Sequence, residues 1–145
     1  PLAVWGLLED PVYAAAVEAS VPAGTLQWRG FLPTDQLQRQ LGRCQALLNT
    51  PKWNEAYGNV VVEAMACGVP VVAYRRGGPG ELVQPGVNGV LVEPDDVAAL
   101  AAAVPQAAAL DRGACRQWVR AHASREALAE RVEAWLLAGL ATPGR

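Results

Sequence analysis

Residues 54 to 81, NEAYGNVVVEAMACGVPVVAYRRGGPGE, carry the strongest structural signals of the chain. Glu63 is the only charged side chain between Glu55 and Arg75. Burying a single carboxylate in so apolar a run would be costly unless a donor bonds to it. The run is interrupted by glycines, where backbone can approach a ligand closely, at positions 58, 68, 77 and 78. We therefore interpret this segment as a ligand site.

Residues 58–67 carry conflicting local signals. Three consecutive valines at 60–62 favour a strand, whereas the following Glu-Ala-Met-Ala and Gly68 favour a helix that ends at a glycine. Val71–Ala73 is a strand signal, and short parallel strands need helical crossovers between them. The neighbouring elements therefore predict a helix over 58–67.

The rest of the chain alternates strand and helix signals. Strands are predicted at 2–5, 25–28, 46–48, 71–73 and 90–92. Further helices are predicted from Pro11, from Thr34, near Glu81, from Asp95 to a break near Pro105, and over 111–121 and 125–139. This order predicts an α/β fold with one doubly wound parallel sheet of five strands, as a single domain over residues 1–145.

Composition narrows the function classes. With 145 residues, 52% apolar content and a net charge of −2, the chain has room for one core and lacks the basic stripe of a nucleic-acid-binding protein. Three widely spaced cysteines are expected to be buried free thiols of a reducing cytoplasm. With His122 as its one histidine, the chain offers neither a zinc site nor a histidine-based triad.

An anion site is predicted at the start of the 58–67 helix. In doubly wound sheets, ligands lie beyond the carboxyl ends of the strands, where loops lead into helix N-termini. The amides of Gly58, Asn59 and Val60 would be free in the opening turn, and the helix dipole favours a phosphate or diphosphate there.

Two carboxylates would flank this anion site. Glu55 lies just before the opening turn and Glu63 lies about a turn and a half inside the helix. A carboxylate can accept hydrogen bonds from two sugar hydroxyls at once. Gly77 and Gly78 could add further amides from a facing loop. Hydroxyls on both sides of a diphosphate describe a nucleotide sugar.

A longer string of motifs resembles the C-terminal domain of retaining GT-B glycosyltransferases of family 4. Glu55 and Glu63 have the E-x7-E spacing, and the string continues as AMACGVPVVA over 64–73, GGPGELV over 77–83, G-x-x-G over 86–89 and LV-x-P over 91–94. The resemblance covers Gly30 to about Asp96. It implies a Rossmann-like, three-layer α/β/α half of a GT-B enzyme. It also implies transfer of a hexosyl group from a nucleotide sugar with retention, without a metal or other cofactor.

The same resemblance implies a role for each candidate residue. Glu55 would contact the donor sugar near the reacting centre as the catalytic residue, and Glu63 would hold the ribose hydroxyls. The amides after Gly58, at Asn59 and Val60, would meet the diphosphate. The loop at Gly77 and Gly78 would close over the donor, and the loop at Leu32 and Pro33 would lie by the base.

The chain is expected to be a fragment. It begins abruptly at Pro1, so the family's upstream basic residues and its N-terminal acceptor-binding domain are missing. Lys52, Arg75 and Arg76 are candidates to replace part of that charge. The fragment is predicted to bind a UDP-, GDP- or ADP-sugar weakly and to have no transferase activity alone. The acceptor stays open between a lipid, a glycan and a small molecule. The localisation is expected to be cytoplasmic, with a peripheral place at the inner membrane face as an alternative.

Two other functions stay open on the sequence. A nucleotide-sugar epimerase uses the same two-domain architecture, and a non-catalytic sugar-nucleotide sensor would need only the binding residues. A dehydrogenase is disfavoured because Gly6 is followed by Leu7 and Leu8, with no G-x-G-x-x-G after the first strand.

Overall fold

Short parallel strands alternate with helices throughout the computed structural model, which describes residues 1–141. The chain divides into two units, the first Pro1–Gln40 and the second beginning at Leu41. The single domain expected over 1–145 stays a prediction.

The first unit holds two strands and two helices. These are β1 (Leu2–Val4), α1 (Pro11–Ala19), β2 (Leu26–Trp28) and α2 (Thr34–Leu41), whose last residue begins the second unit. β1 and β2 pair in parallel, with Leu2 opposite Leu26. The predicted start of α1 is confirmed, because the Asp10 carboxylate accepts from the Tyr13 amide at 2.9 Å and Pro11 follows it. Such a cap stabilises a helix by about 1 kcal/mol.

The second unit holds three strands and five helices among its described residues. These are β3 (Leu47–Asn49), α3 (Asn59–Ala66), β4 (Val71–Tyr74), α4 (Pro79–Leu82), β5 (Gly89–Val92), α5 (Val97–Ala108), α6 (Arg112–His122) and α7 (Arg125–Ala141). The strands form a parallel sheet in the order β3-β4-β5. Helix α7 begins as predicted, since Ser124 Oγ accepts from the Ala127 amide at 3.1 Å.

The core of the second unit lies on both faces of this sheet. Successive residues of a strand point to opposite faces. Val71 and Ala73 of β4 pack with residues of α3 and α6 such as Met65 and Cys115. The alternate residues Val72 and Tyr74 pack with α5 through residues 103 and 107. All four β4 residues are buried, as a strand covered by helices on both faces requires.

The valine run of residues 60–62 is helical, as the neighbouring strands predict. Val61, Ala64 and Met65 form the buried side of α3, which packs against β3, β4, α4 and α6. Burial on this side therefore outweighs the strand preference of β-branched residues. The predicted C-terminal glycine is confirmed, because Gly68 follows the helix with a φ of 72°.

The fold class is confirmed, with three differences in detail. The five strands pair as two parallel sheets, β1-β2 and β3-β4-β5, rather than as one ladder. Helix α4 begins at Pro79 rather than near Glu81. Helix α5 continues through Pro105 instead of breaking there. Pro105 has no backbone N–H to donate to the carbonyl of Ala101. Both residues are exposed, so water can satisfy that carbonyl.

Candidate functional site

The N-terminus of α3 opens at Gly58, which adopts a left-handed conformation with φ 96° and provides no side-chain cap. The amides of Val61 and Val62 donate hydrogen bonds to the Gly58 carbonyl at 3.0 and 3.4 Å. Among the described residues, no acceptor is recorded for the amides of Asn59 and Val60. These two donors and the positive end of the helix dipole favour an anion at this position.

Glu55 lies in the loop between β3 and α3, and its side chain has one protein donor. Trp53 Nε1 donates to Glu55 Oε2 at 3.2 Å. The Trp53 ring is 66% exposed, whereas Glu55 is half-buried. The indole therefore orients the carboxylate by occupying one of its oxygens, and the other oxygen can still accept from a ligand.

Gly77 and Gly78 lie against the backbone of this loop. Gly78 donates its amide to the Glu55 carbonyl at 2.7 Å, and Glu55 and Gly77 form an isolated parallel bridge. A Cβ on Gly77 would collide with the backbone of Glu55, and one on Gly78 with that of Tyr57. The two loops thus meet, as the sequence predicts. The Gly78 amide, however, is bonded to the protein in this conformation and is not an open donor for a ligand, because the close approach of the loops uses it.

Glu63 lies on the outer side of α3 and is solvent-exposed. Its neighbours on that side, Asn59 four residues before it and Ala66 three residues after it, are exposed as well. The apolar run therefore does not bury the carboxylate, and no desolvation cost arises. Among the described residues, no hydrogen bond or salt bridge engages the Glu63 carboxylate, although its charge adds to burial in raising the pKa of the Cys67 thiol, so both of its oxygens can accept from a ligand.

Arg75 and Arg76 differ, although the sequence offers both as candidates to replace part of the missing basic charge. Arg75 is exposed and lies 3.5 Å from Glu93. Only 18% of the Arg76 side chain is exposed, and its guanidinium bonds to the Pro51 carbonyl and to Asp95, each at 2.8 Å. These bonds hold Arg76 against the protein, whereas Arg75 extends into solvent.

Leu32 and Pro33 belong to the first unit and lie immediately before α2. Leu32 is half-buried and Pro33 is exposed. The Pro33 carbonyl accepts from the amides of Gln36 and Leu37 at 3.0 and 2.9 Å, so this residue opens the helix. Their predicted role beside a base stays a prediction.

Asn49 was not anticipated from the sequence. It is the last residue of β3, at the edge of the sheet where the loops of the site begin. Its Oδ1 is buried and has no hydrogen-bond partner among the described residues. Nothing in the local pattern distinguishes it, because its burial results from packing around the end of the strand.

None of the three cysteines is in a disulfide, and Cys115 is buried while the other two are half-buried. Burial raises the pKa of Cys44, Cys67 and Cys115 above the ordinary value of 9.0. A raised pKa keeps a thiol protonated and unreactive. Across residues 1–141, no cluster of three or more His, Cys, Asp or Glu side chains could hold a metal ion. Nor does this part of the chain contain a helix long and apolar enough to cross a membrane.

Comparison with known proteins places most of the chain in one family. The model of the family described as glycosyl transferases group 1 matches residues 15–125. The D-inositol 3-phosphate glycosyltransferase of Mycolicibacterium smegmatis is 33% identical over 108 residues. That alignment covers 73% of this chain but 25% of the relative, so the chain spans a small part of that protein.

Solved structures share the fold. HepE of Anabaena, in complex with UDP, superposes with a TM-score of 0.79 at 23% identity, over 94% of this chain and 40% of that one. Sucrose-phosphate synthase of Thermosynechococcus elongatus superposes with a TM-score of 0.77 at 27% identity, over 97% of this chain and 38% of that one. A complex of HepE with UDP-glucose superposes with a TM-score of 0.55 at 25% identity, over 88% of this chain and 40% of that one. The likeness to the UDP complex is evidence of fold alone at that identity.

Proposed function

This chain belongs to the glycosyl transferases group 1 family, and we propose that it forms the nucleotide-sugar donor site of a retaining hexosyltransferase. The observation that carries the proposal is the uncapped N-terminus of α3. There the amides of Asn59 and Val60 follow the loop of Glu55 and precede the exposed carboxylate of Glu63 along the chain. Anion donors with a carboxylate on either side match a diphosphate with a sugar on either side.

The resemblance gives a role to each side of the proposed site. Glu63 stands on the outer side of α3, beyond the first turn, and would accept from the two ribose hydroxyls. The resemblance gives Glu55 the place beside the donor sugar next to the breaking bond, and its half-burial and its bond from Trp53 would hold the carboxylate for that contact.

The α3 N-terminus also suits the chemistry of transfer. When the bond between sugar and diphosphate breaks, negative charge grows on the leaving diphosphate. Preorganised amides aimed at that charge stabilise it more in the transition state than in the bound donor. The amides of Asn59 and Val60 could supply this effect without a metal ion, which is why a metal-independent reaction is proposed.

The neighbouring structures suggest which nucleotide to test first. HepE has been solved with UDP and with UDP-glucose. We therefore propose UDP-glucose as the first donor to test, with GDP- and ADP-sugars as the alternatives. An acceptor hydroxyl would be bound mainly outside this chain, since the chain covers 40% or less of these solved relatives. A cytoplasmic localisation is retained as part of the proposal.

Calorimetric titration with UDP, GDP and ADP, and then with the matching glucose nucleotides, tests the proposal. We expect saturable binding of one nucleotide in preference to the other two. When acceptors are then added to the intact protein with its nucleotide sugar, transfer of the sugar should release free nucleoside diphosphate. An epimerase would not release it in this way. Absence of binding of all three at millimolar concentrations to the intact protein would overturn the proposal.

A further inference from the structure

Arg76 connects the three loops that leave the sheet of the second unit. It follows β4, and its Nη1 donates to the Pro51 carbonyl in the loop after β3 at 2.8 Å. Its Nη2 donates to Asp95 Oδ2 in the loop after β5, also at 2.8 Å. β3, β4 and β5 are parallel neighbours, so these loops leave the sheet at one edge. One guanidinium thus connects the loops that follow three adjacent strands.

This link holds one end of the segment that carries Glu55. Pro51, which is buried, is fixed through its carbonyl by Arg76. The other end is fixed at the Glu55 carbonyl by the amide of Gly78, two residues after Arg76. Between the two anchors, Trp53 donates to the Glu55 carboxylate. The loop after β4 therefore anchors both ends of the 51–55 segment, and the segment in turn orients the carboxylate.

Few other side chains could make the Arg76 link. A guanidinium presents several N–H groups in a rigid planar fork, so it can serve a carbonyl and a carboxylate in two directions at once. A lysine has one nitrogen on a flexible stem and would hold one of the two partners well. Because 18% of the Arg76 side chain is exposed, its bonds are less open to competition from water than those of a surface arginine.

The conformation of Asp95 fits this interpretation. Asp95 has a φ of 67° and is the only non-glycine residue with a positive φ among residues 1–141. Left-handed backbone is unfavourable for most side chains, although Asp tolerates it better than most. In this conformation the 69% exposed Asp95 directs its carboxylate to Arg76 instead of to solvent alone.

We propose that Arg76 and Asp95 are positioning residues for Glu55. Their ion pair holds the Pro51 end of the segment, and this keeps the Glu55 carboxylate in the place where it meets the sugar of the donor. The inference rests on the proposed function, because it assigns Glu55 to the sugar side of the site. It predicts that loss of the ion pair affects recognition of the sugar far more than recognition of the nucleoside diphosphate.

The chain offers a matched control for each residue. Arg75 adjoins Arg76 but is exposed and pairs with Glu93 at 3.5 Å. The test variants are therefore Arg76→Met, Arg76→Lys and Asp95→Asn, and the controls are Arg75→Met and Glu93→Gln. Asparagine retains an acceptor and tolerates left-handed backbone, so Asp95→Asn tests the charge even if Arg76→Met fails to fold.

The first measurement compares the dissociation constants of UDP and UDP-glucose for each variant of the intact protein. In Arg76→Met, the affinity for UDP-glucose relative to UDP should fall by about tenfold, because a displaced carboxylate loses its contact with the sugar. Arg76→Lys should recover part of the loss, and both controls should retain the wild-type ratio. A role in stability alone would lower the melting temperature and leave the ratio unchanged, which would overturn the inference.

A second measurement needs no ligand. The indole N–H resonance of Trp53, assigned with Trp53→Phe, reports its bond to Glu55, and Glu55→Ala supplies the unbonded reference. Arg76→Met and Asp95→Asn should move this resonance toward the reference and speed its exchange with solvent. If the resonance keeps its wild-type position in both variants, the inference is wrong. Should wild type bind neither nucleotide, the proposed function falls, while this resonance still decides whether Arg76 positions Glu55.

Discussion

The amide of Gly78 donates a hydrogen bond of 2.7 Å to the carbonyl of Glu55. This bond joins the loop that leaves β4 to the loop that enters α3. It fixes the backbone of Glu55 three residues before the uncapped start of α3 at Gly58, and the close approach leaves no room for a side chain at Gly77 or Gly78. The glycine pair is thus part of the framework of the site, and a donor would meet a loop that is already held in place.

Gly77→Ala should destabilise the protein by about 2 to 3 kcal/mol. Its φ of 68° disfavours any side chain, and the added Cβ would also collide with the backbone of Glu55. Gly86→Ala is the matched control, since Gly86 has a φ of 79° and open space around it. The Gly86→Ala substitution should lower the free energy of unfolding by about 1 kcal/mol, because only the left-handed conformation opposes it. Urea denaturation measures both, and equal losses would show that the close approach is unimportant.

Glu63→Gln should weaken binding of the preferred nucleoside diphosphate by about tenfold, because a hydrogen bond to a charged acceptor is worth more than one to a neutral amide. Glu63 is exposed, so its substitution should leave the melting temperature unchanged. Glu130→Gln, an exposed carboxylate on α7, is the control. Calorimetry should give the wild-type affinity for the control, and a Glu63 variant with that same affinity would contradict the assignment of Glu63.

Stability should fall at alkaline pH partly because of Cys115. Burial raises the pKa of this thiol in the folded protein above its ordinary value of 9.0, so the unfolded chain loses the proton first. The contribution is therefore fully present below the unfolded pKa, begins to fall above it, and is lost as the pH rises through the raised pKa of the folded protein. Urea denaturation between about pH 8 and pH 10 should show a smaller decline for Cys115→Ala than for wild type. An identical decline in both would contradict the prediction.

The parts of the fold that follow from local chemistry were predictable. Asp10, followed by Pro11, marks the start of α1, and Ser124 marks the start of α7. Both could be predicted because a cap needs only residues close in sequence. The helix over 58–67 could be predicted despite its valines, because two flanking parallel strands leave a crossover as the only connection.

The parts that depend on distant contacts were not predictable. Arg76 and Asp95 are 19 residues apart, and the local sequence resembles that of any exposed arginine and aspartate. The same holds for the Gly78 amide, whose acceptor lies in another loop. For Pro105, the local rule predicts a break, whereas exposure of the affected turn lets α5 continue.

The most direct test of the donor site observes the amides at the start of α3. Titration of the ¹⁵N-labelled protein with UDP, or with GDP or ADP if calorimetry selects one of these, should shift the amide resonances of Asn59 and Val60 most strongly. The amide of Ala127 is the internal control, because Ser124 already caps it. Shifts centred on Asn59 and Val60 are the result we predict. Saturable binding that leaves both resonances in place would contradict a diphosphate site at the N-terminus of α3.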